Sequence, residues 1–440
     1  MRIADQNKNW YVSRFESFEK SLNGEANSKI HTVRKAAIAR FAELGFPTTR
    51  DEEWKYTDIS SFAGVQFDPV VKDQPHHPAA NDVQRFLFKD GGYSRLTFVN
   101  GQYAKHLSSI PSLPPDVIVG SLAEALKNEN GVVHEHLARH ARYERNAFAA
   151  LSTAFLQDGA YIFIPKGVIL GTPVHVLHVS TGSEKELASH PRNLIIAGAD
   201  SQATVIESYV SLSNNRYFTN TVTEIVLGEN AVVEHEKLQM ESSRALHVGL
   251  THVQQARSSN FVSNSMSFGG ELVRNNIVAV LDGEGAECTL NGLYHGSGNQ
   301  LIDNHTAIDH AKPNCSSHEL YKGIMEGTSK GVFNGKIIVR EEAQKTDAKQ
   351  TNKNLILSEG ATIDTKPQLE IFANDVKCTH GATIGQLDDE SIFYLRSRGV
   401  GLDEARILLI YAFAGEVVER VGVAAVRDRL DRILHERLAR

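Results

Sequence analysis

Cysteine is scarce in this chain: Cys288, Cys315 and Cys378 are the only three among 440 residues, and none belongs to a CxxC pair. Thiols so few and so spaced make no disulfide framework, and they fit a reducing compartment. A dominant sign of charge is missing too. The 46 basic and 53 acidic side chains leave a net charge of −7, without long blocks of either sign. That argues against nucleic acid or an anionic membrane as the main partner. The most apolar run of the C-terminal part, residues 407–414, is far short of the ~20 residues that span a bilayer. The opening Met1-Arg2-Ile3-Ala4-Asp5-Gln6 has no apolar stretch of the secretory-signal kind. The expectation is a soluble, cytoplasmic protein.

Catalytic signatures are absent as well. There is no Walker loop, no GxSxG elbow, no HExxH and no paired-carboxylate stretch. Gly269-Gly270 follows a predicted strand but lacks the further glycines and the lysine of a phosphate loop. The residues give little support for a self-contained enzyme.

What is present falls into three textures. Residues 1–157 read as mostly helical. Tyr11, Phe15, Phe18 and Leu22 keep helical spacing, as do Val33, Ala37 and Phe41 before Gly45-Phe46-Pro47. Asp51-Glu52-Glu53-Trp54 reads as a helix start with Trp54 as a packing anchor, and residues 68–92 as an exposed connection. A strand is expected near residues 95–100. His136 and His140 stand four apart on a predicted helix, with no third ligand nearby, so they read as surface histidines.

From 158 to 388 short β-rich runs replace helix, separated by Gly, Asn and Asp. Gly360-Ala361-Thr362-Ile363-Asp364 recurs as Gly381-Ala382-Thr383-Ile384-Gly385, an offset of 21 residues. Strand, glycine corner and strand repeated after about 20 residues suggests a solenoid. The expected fold is therefore mainly β, a right-handed parallel β-helix flanked by helical domains, preferred over a sandwich or barrel. Ala286, Cys288 and Leu290 alternate with polar neighbours, which makes Cys288 a small buried hydrophobe. Residues 389–440 return to helix, with a broad apolar face over 407–418 and a second stripe at Val426, Leu430, Ile433, Leu434 and Leu438. Such a pair is too small to fold alone. It is expected to pack on the solenoid end, on a partner or on both, and to cover the open strand edge.

The sharpest chemical feature is Cys378-Thr379-His380. Residues two apart on a strand share a face, so the thiol and imidazole lie roughly 6–7 Å apart. A zinc or iron–sulfur site wants about four protein ligands, so the pair is insufficient alone. Cys315 with His318, His305 and His310 are further candidates, and a buried thiol beside a hydrogen-bonded histidine is the bland alternative.

The block from Asp375 to Gly399, with Cys378-Thr379-His380-Gly381-Ala382-Thr383-Ile384-Gly385-Gln386 and Phe393-Tyr394-Leu395-Arg396-Ser397-Arg398, resembles the C-terminal hallmark of the SufB/SufD family of iron–sulfur cluster assembly proteins. The likeness continues through Tyr321-Lys322-Gly323, Phe333-Asn334-Gly335-Lys336-Ile337, Ala343-Gln344-Lys345-Thr346-Asp347-Ala348, Asp158-Gly159, Ile164-Pro165-Lys166-Gly167 and Glu53-Trp54-Lys55-Tyr56-Thr57-Asp58. The SufD branch is the nearer one, because SufB-like chains carry more cysteines, including one where Leu395 stands here.

The resemblance implies a non-catalytic scaffold subunit working with SufB and the ATPase SufC to build and deliver clusters, with a role in iron acquisition. It implies a transient iron–sulfur cluster at the SufB–SufD junction, with His380 and Cys378 contributing from this side. ATP would bind SufC alone. A reduced flavin is associated with such complexes, without an identifiable site here. SufC docking would fall on the C-terminal helices, at Arg406, Leu409, Ile410, Phe413, Ala414 and Val417, and the isolated chain could self-pair through its β-helix. Two other readings stay open: a β-helix carbohydrate-active enzyme, and a SufB-like primary scaffold that holds a cluster alone.

Overall fold

The computed structural model describes residues 3–22, 28–71, 78–88, 92–128, 131–182 and 186–438. Its centre is a parallel β-helix whose coils each contribute one strand to either of two facing sheets. Along the first sheet run Arg192–Ala197, Phe218–Leu227, Leu246–Gln255, Leu272–Leu281, Leu301–His310, Lys330–Val339 and Thr362–Ile371. Along the second run Val174–Ser180, Gln202–Ser211, Val232–Met240, Asn260–Ser267, Glu287–Gly296, Ser316–Met325, Asp347–Ile356 and Lys377–Gly385. Every pairing between these strands is parallel and in register from coil to coil. Inward side chains stack into one long core that includes Ala203, Val233, Phe261, Cys288 and Leu290. Cys288 is a buried hydrophobe, as its alternation predicts, and burial pushes its thiol far up.

The coil length differs from the expected repeat. Glu287 pairs with Ser316, Ser316 with Asp347 and Asp347 with Lys377, steps of 29, 31 and 30 residues. The two copies 21 residues apart lie on opposite walls of the last coil: Thr362 pairs with Lys330, whereas Thr383 pairs with Lys353. They are half-coils that look alike because both walls impose the same strand alternation. Gly360 sits at a tight corner against Gly327, but Gly381 lies within a strand with open space beside it. Of Asn100-Gly101, Asn291-Gly292 and Asn334-Gly335, only the first is a hairpin, with positive φ at both residues; the other two lie within strands.

The N-terminal part starts with helices Ile3–Ser21 and Lys29–Leu44, the latter capped by Ser28 and stopped at Gly45 (φ +66°). Tyr11, Phe15, Phe18 and Phe41 interlock with Phe46, Phe62, Phe148 and Phe218 in an aromatic core. This region is less purely helical than its periodicity suggests. Ser94–Val99 and Ile118–Ser121 extend the two sheets at their first coil. Residues 72–77 and 89–91 of the expected exposed connection lie outside the described residues. Residues 79–82, 84 and 85 are exposed as expected, but other parts are docked: Asp68–Pro69 pairs with Leu187–Ala188, Val70 and Val83 are buried, and Arg429 donates to the carbonyls of Arg85 and Phe86.

Asp388 caps the helix Asp389–Ser397, followed by Leu402–Val418 and Ala424–Leu438. Gly401 occupies the N-cap of the second. The last two helices lie along the outer face of the second sheet, where Ile410, Ala414, Val417, Val426, Leu430 and Leu434 bury Ile206, Leu238, Met266, Leu293 and Ile324. They do not cover the solenoid's end, contrary to expectation: their apolar residues are taken up by the outward side chains of five successive strands of that sheet. The final strands Thr362–Ile371 and Lys377–Gly385 are left at the edges of their sheets, mostly exposed or half-exposed.

Candidate functional site at the open coil

Cys378 and His380 stand on that final edge. Cys378 points into the lumen, half-buried against Ile337, Ala348 and Leu369, and burial with the nearby Asp347 raises its thiol pKa. His380 is exposed on the same face, directly above Gln350 by register. Around them Ile371, Phe372 (63% exposed), Ile384 and, on the next helix, Phe393 (74%) present large apolar side chains to solvent. An edge strand that is both unpaired and flanked by apolar groups is a template for another chain.

The other expected ligands are dispersed. Cys315 is buried at a corner with its thiol directed to the Gly283 carbonyl. His318 is exposed on the outer face, and His310 is sealed in the lumen against Ser317 at 2.9 Å. His305 lies outside, bonded to Asp303 and Glu53. His136 and His140 approach to 3.3 Å, and the fold adds His252 beside His140, a neighbour no local spacing could reveal. Among the described residues no group of three or more His, Cys, Asp or Glu is arranged to hold a metal ion. Cys378 and His380 therefore form an incomplete pair at an open end, two donors where about four are needed.

A second feature absent from the local pattern is the polar filling of the lumen. Glu207 takes hydrogen bonds from Tyr209, Thr223 and His235, all buried. Burial alone would raise its pKa, but His235 and Lys237 hold it well below the carboxylate range. On the outer wall of the first sheet, residues 52–57 form a strap. Trp54 is wedged between the Arg274 guanidinium, 4.1 Å from its ring centre, and Phe148. Arg274 pairs with the buried Asp303 at 2.6 Å, Thr57 donates to the same carboxylate at 2.5 Å, and Glu52 meets Lys366 of the final coil. Trp54 thus packs, as expected, and the strap ties the N-terminal region to four successive coils. A cleft of about 540 Å³ lies beside it.

Of the residues assigned to partner docking, Ile410, Ala414 and Val417 are buried inside this chain and offer nothing to a partner. The sequence pattern shows an apolar face, not which body covers it. Arg406 is exposed, and Leu409 and Phe413 are half-buried, next to exposed Leu402 and Leu408. Leu409 also borders an open groove of about 860 Å³ formed with Asp388, Phe393 and Tyr394.

A family model for the SufBD core domain of the SUF system for FeS cluster assembly matches residues 178–413. The model of the SufBD N-terminal region matches residues 5–176. The chain belongs to the SufBD family. Among curated proteins it is 34% identical over 417 residues to an iron-sulfur cluster assembly SufBD family protein of Synechocystis, covering 93% of this chain and 91% of the relative. It is 33% identical over 403 residues to the iron-sulfur cluster assembly protein SufD of Escherichia coli, covering 91% of each. To the chloroplastic protein ABCI7 of Arabidopsis thaliana it is 28% identical, over 94% of this chain and 88% of that one. Like other SufBD proteins it is thus a component of SUF-type cluster assembly. No helix among the described residues is long and apolar enough to cross a membrane.

Proposed function

We propose that this SufBD protein is a SufD-type scaffold subunit that builds and delivers iron–sulfur clusters together with a SufB-type subunit and a SufC-type ATPase. The observation that carries the reading is the uncovered final coil. Cys378 and His380 stand there on an unpaired strand edge bordered by Ile371, Phe372 and Ile384. A second β-helix stacking its own last coil on this edge would satisfy the open backbone groups and bury the apolar rim. It would also add the donors that Cys378 and His380 lack. The cluster is cargo of that shared pocket, and His380, the more exposed donor, is assigned the main role on this side.

The exposed side of Leu402–Val418, with Arg406, Leu409 and Phe413, is assigned to the ATPase. Lys322 binds the Phe413 carbonyl at 2.8 Å and caps its ring, so movement of this helix reaches the second sheet directly. ATP belongs to the partner, since this chain has no phosphate loop. Co-purification from the native host should recover both partners. His380→Ala should leave the complex assembled and abolish cluster delivery; undiminished delivery would remove His380 from the mechanism.

A further inference from the structure

Behind His380 the lumen holds a polar column that apolar packing does not explain. Register stacks Leu290, Glu319, Gln350 and His380 on successive coils of the second sheet, all on the inward face. Glu319 and Gln350 are 4% and 2% exposed. Gln350 Nε2 donates to Glu319 Oε2 at 2.8 Å. Room for the amide is made by the facing wall: a Cβ on Gly335 would lie 2.1 Å from Gln350 Nε2. Among the described residues no lysine, arginine or histidine pairs with Glu319. Burial pushes its carboxyl up to about 7, so its environment is that of an acid without a counter-charge.

The column is incomplete at its top. Gln350 Oε1 is buried and has no partner, and an orphaned buried carbonyl oxygen calls for one. The next residue outward by register is His380, on a strand about 4.8 Å from that of Gln350. Side chains directly opposite on paired strands share a face and lie within reach of each other. A neutral imidazole carries one N–H and one bare nitrogen, and the hydrogen bond made by the first decides which nitrogen is left for a metal.

We propose that Gln350 is a positioning residue: Glu319 holds its amide N–H, so its Oε1 takes the ring N–H of His380 and leaves the other ring nitrogen free to bind iron at the junction. This rests on the reading of His380 given above. It adds that the donor is prepared from inside this chain, by residues one and two coils deep that never touch the cluster.

The test needs neither iron nor partners. The full chain, ¹⁵N-labelled at histidine, is studied by long-range ¹H–¹⁵N NMR at about pH 8, above the ordinary histidine range. The His380 signals are assigned by their loss in His380→Asn. We expect two well-separated ring-nitrogen signals in the wild type, a single tautomer. In Gln350→Leu they should move toward each other as tautomers mix, and Glu319→Leu should do the same to a smaller extent. Should Gln350→Leu fail to fold, Gln350→Met keeps the length and flexibility of the side chain and replaces it. Averaged signals already in the wild type would overturn the proposal, as would one unchanged tautomer in both Gln350 variants. Because the tautomer is read without a cluster, this outcome is independent of His380→Ala and the delivery assay.

Discussion

Glu236 makes the charge balance of the β-helix wall measurable. It is buried on the outer face of the second sheet, beneath the joint between the last two helices. A directed chain of hydrogen bonds leads to it: Arg420 donates to Asn291 (3.2 Å), Asn291 to Asn264 (2.9 Å) and Asn264 to Glu236 (2.9 Å). Its neighbour Glu234 accepts from the Gly422 backbone N–H at 2.9 Å. Burial is the main cause that pushes the Glu236 carboxyl up to about 9, with the charge of Glu234 adding to it. A carboxyl raised in the folded state holds its proton there while the unfolded chain has already lost it. Its contribution is therefore intact below the ordinary value of 4.5 and is lost as pH climbs toward about 9. Each pH unit in that window costs about 1.4 kcal/mol, so by about pH 7 the loss is ~3 kcal/mol. Glu236→Gln keeps the shape, the acceptor for Asn264 and a donor toward Glu234, and removes the titration. Urea unfolding followed by circular dichroism should show wild type and variant nearly equal at about pH 5, the variant gaining on the order of 3 kcal/mol by about pH 7. Parallel stability profiles across this range would refute the assignment of a buried, protonated Glu236.

Asp303→Asn leaves the Arg274 guanidinium buried beneath Trp54 without its counter-charge. The expected loss is about 3–5 kcal/mol, together with a red shift of Trp54 emission as the strap loosens, read against a Trp10-only background in Trp54→Phe. Gly292→Ala places a Cβ 2.2 Å from the Tyr321 ring in the coil above. Overpacking of that kind should lower stability by about 1–3 kcal/mol, whereas Gly381→Ala, which meets nothing within 4 Å, should be near neutral in the same melt.

Local chemistry was legible wherever it depends on neighbours in the chain. The alternation around Cys288, the stop at Gly45, the return to helix after residue 388 and the textural change at residue 158 follow from side-chain period and backbone conformation alone. Coil length was not legible, because a solenoid's repeat is set by two strands and two corners whose loops vary, and a half-coil resemblance imitates it. Asn291-Gly292 and Asn334-Gly335 look like hairpins in one dimension. In three they are gaps left for Tyr321 and Gln350, residues of other strands.

The sequence by itself determined that the chain is a β-solenoid between helical ends, and that Cys378 and His380 share a strand face, since both follow from periodicity. Only the tertiary structure decided that the terminal helices lie along the side, that Ile410, Ala414 and Val417 of the expected docking face are consumed internally, and that the last coil stays open. It alone placed Glu319 and Gln350 under His380. The physical reason is common to all of these: which surface covers which is a competition between distant segments for apolar area, and residues about 30 positions apart become neighbours only once the coil has closed.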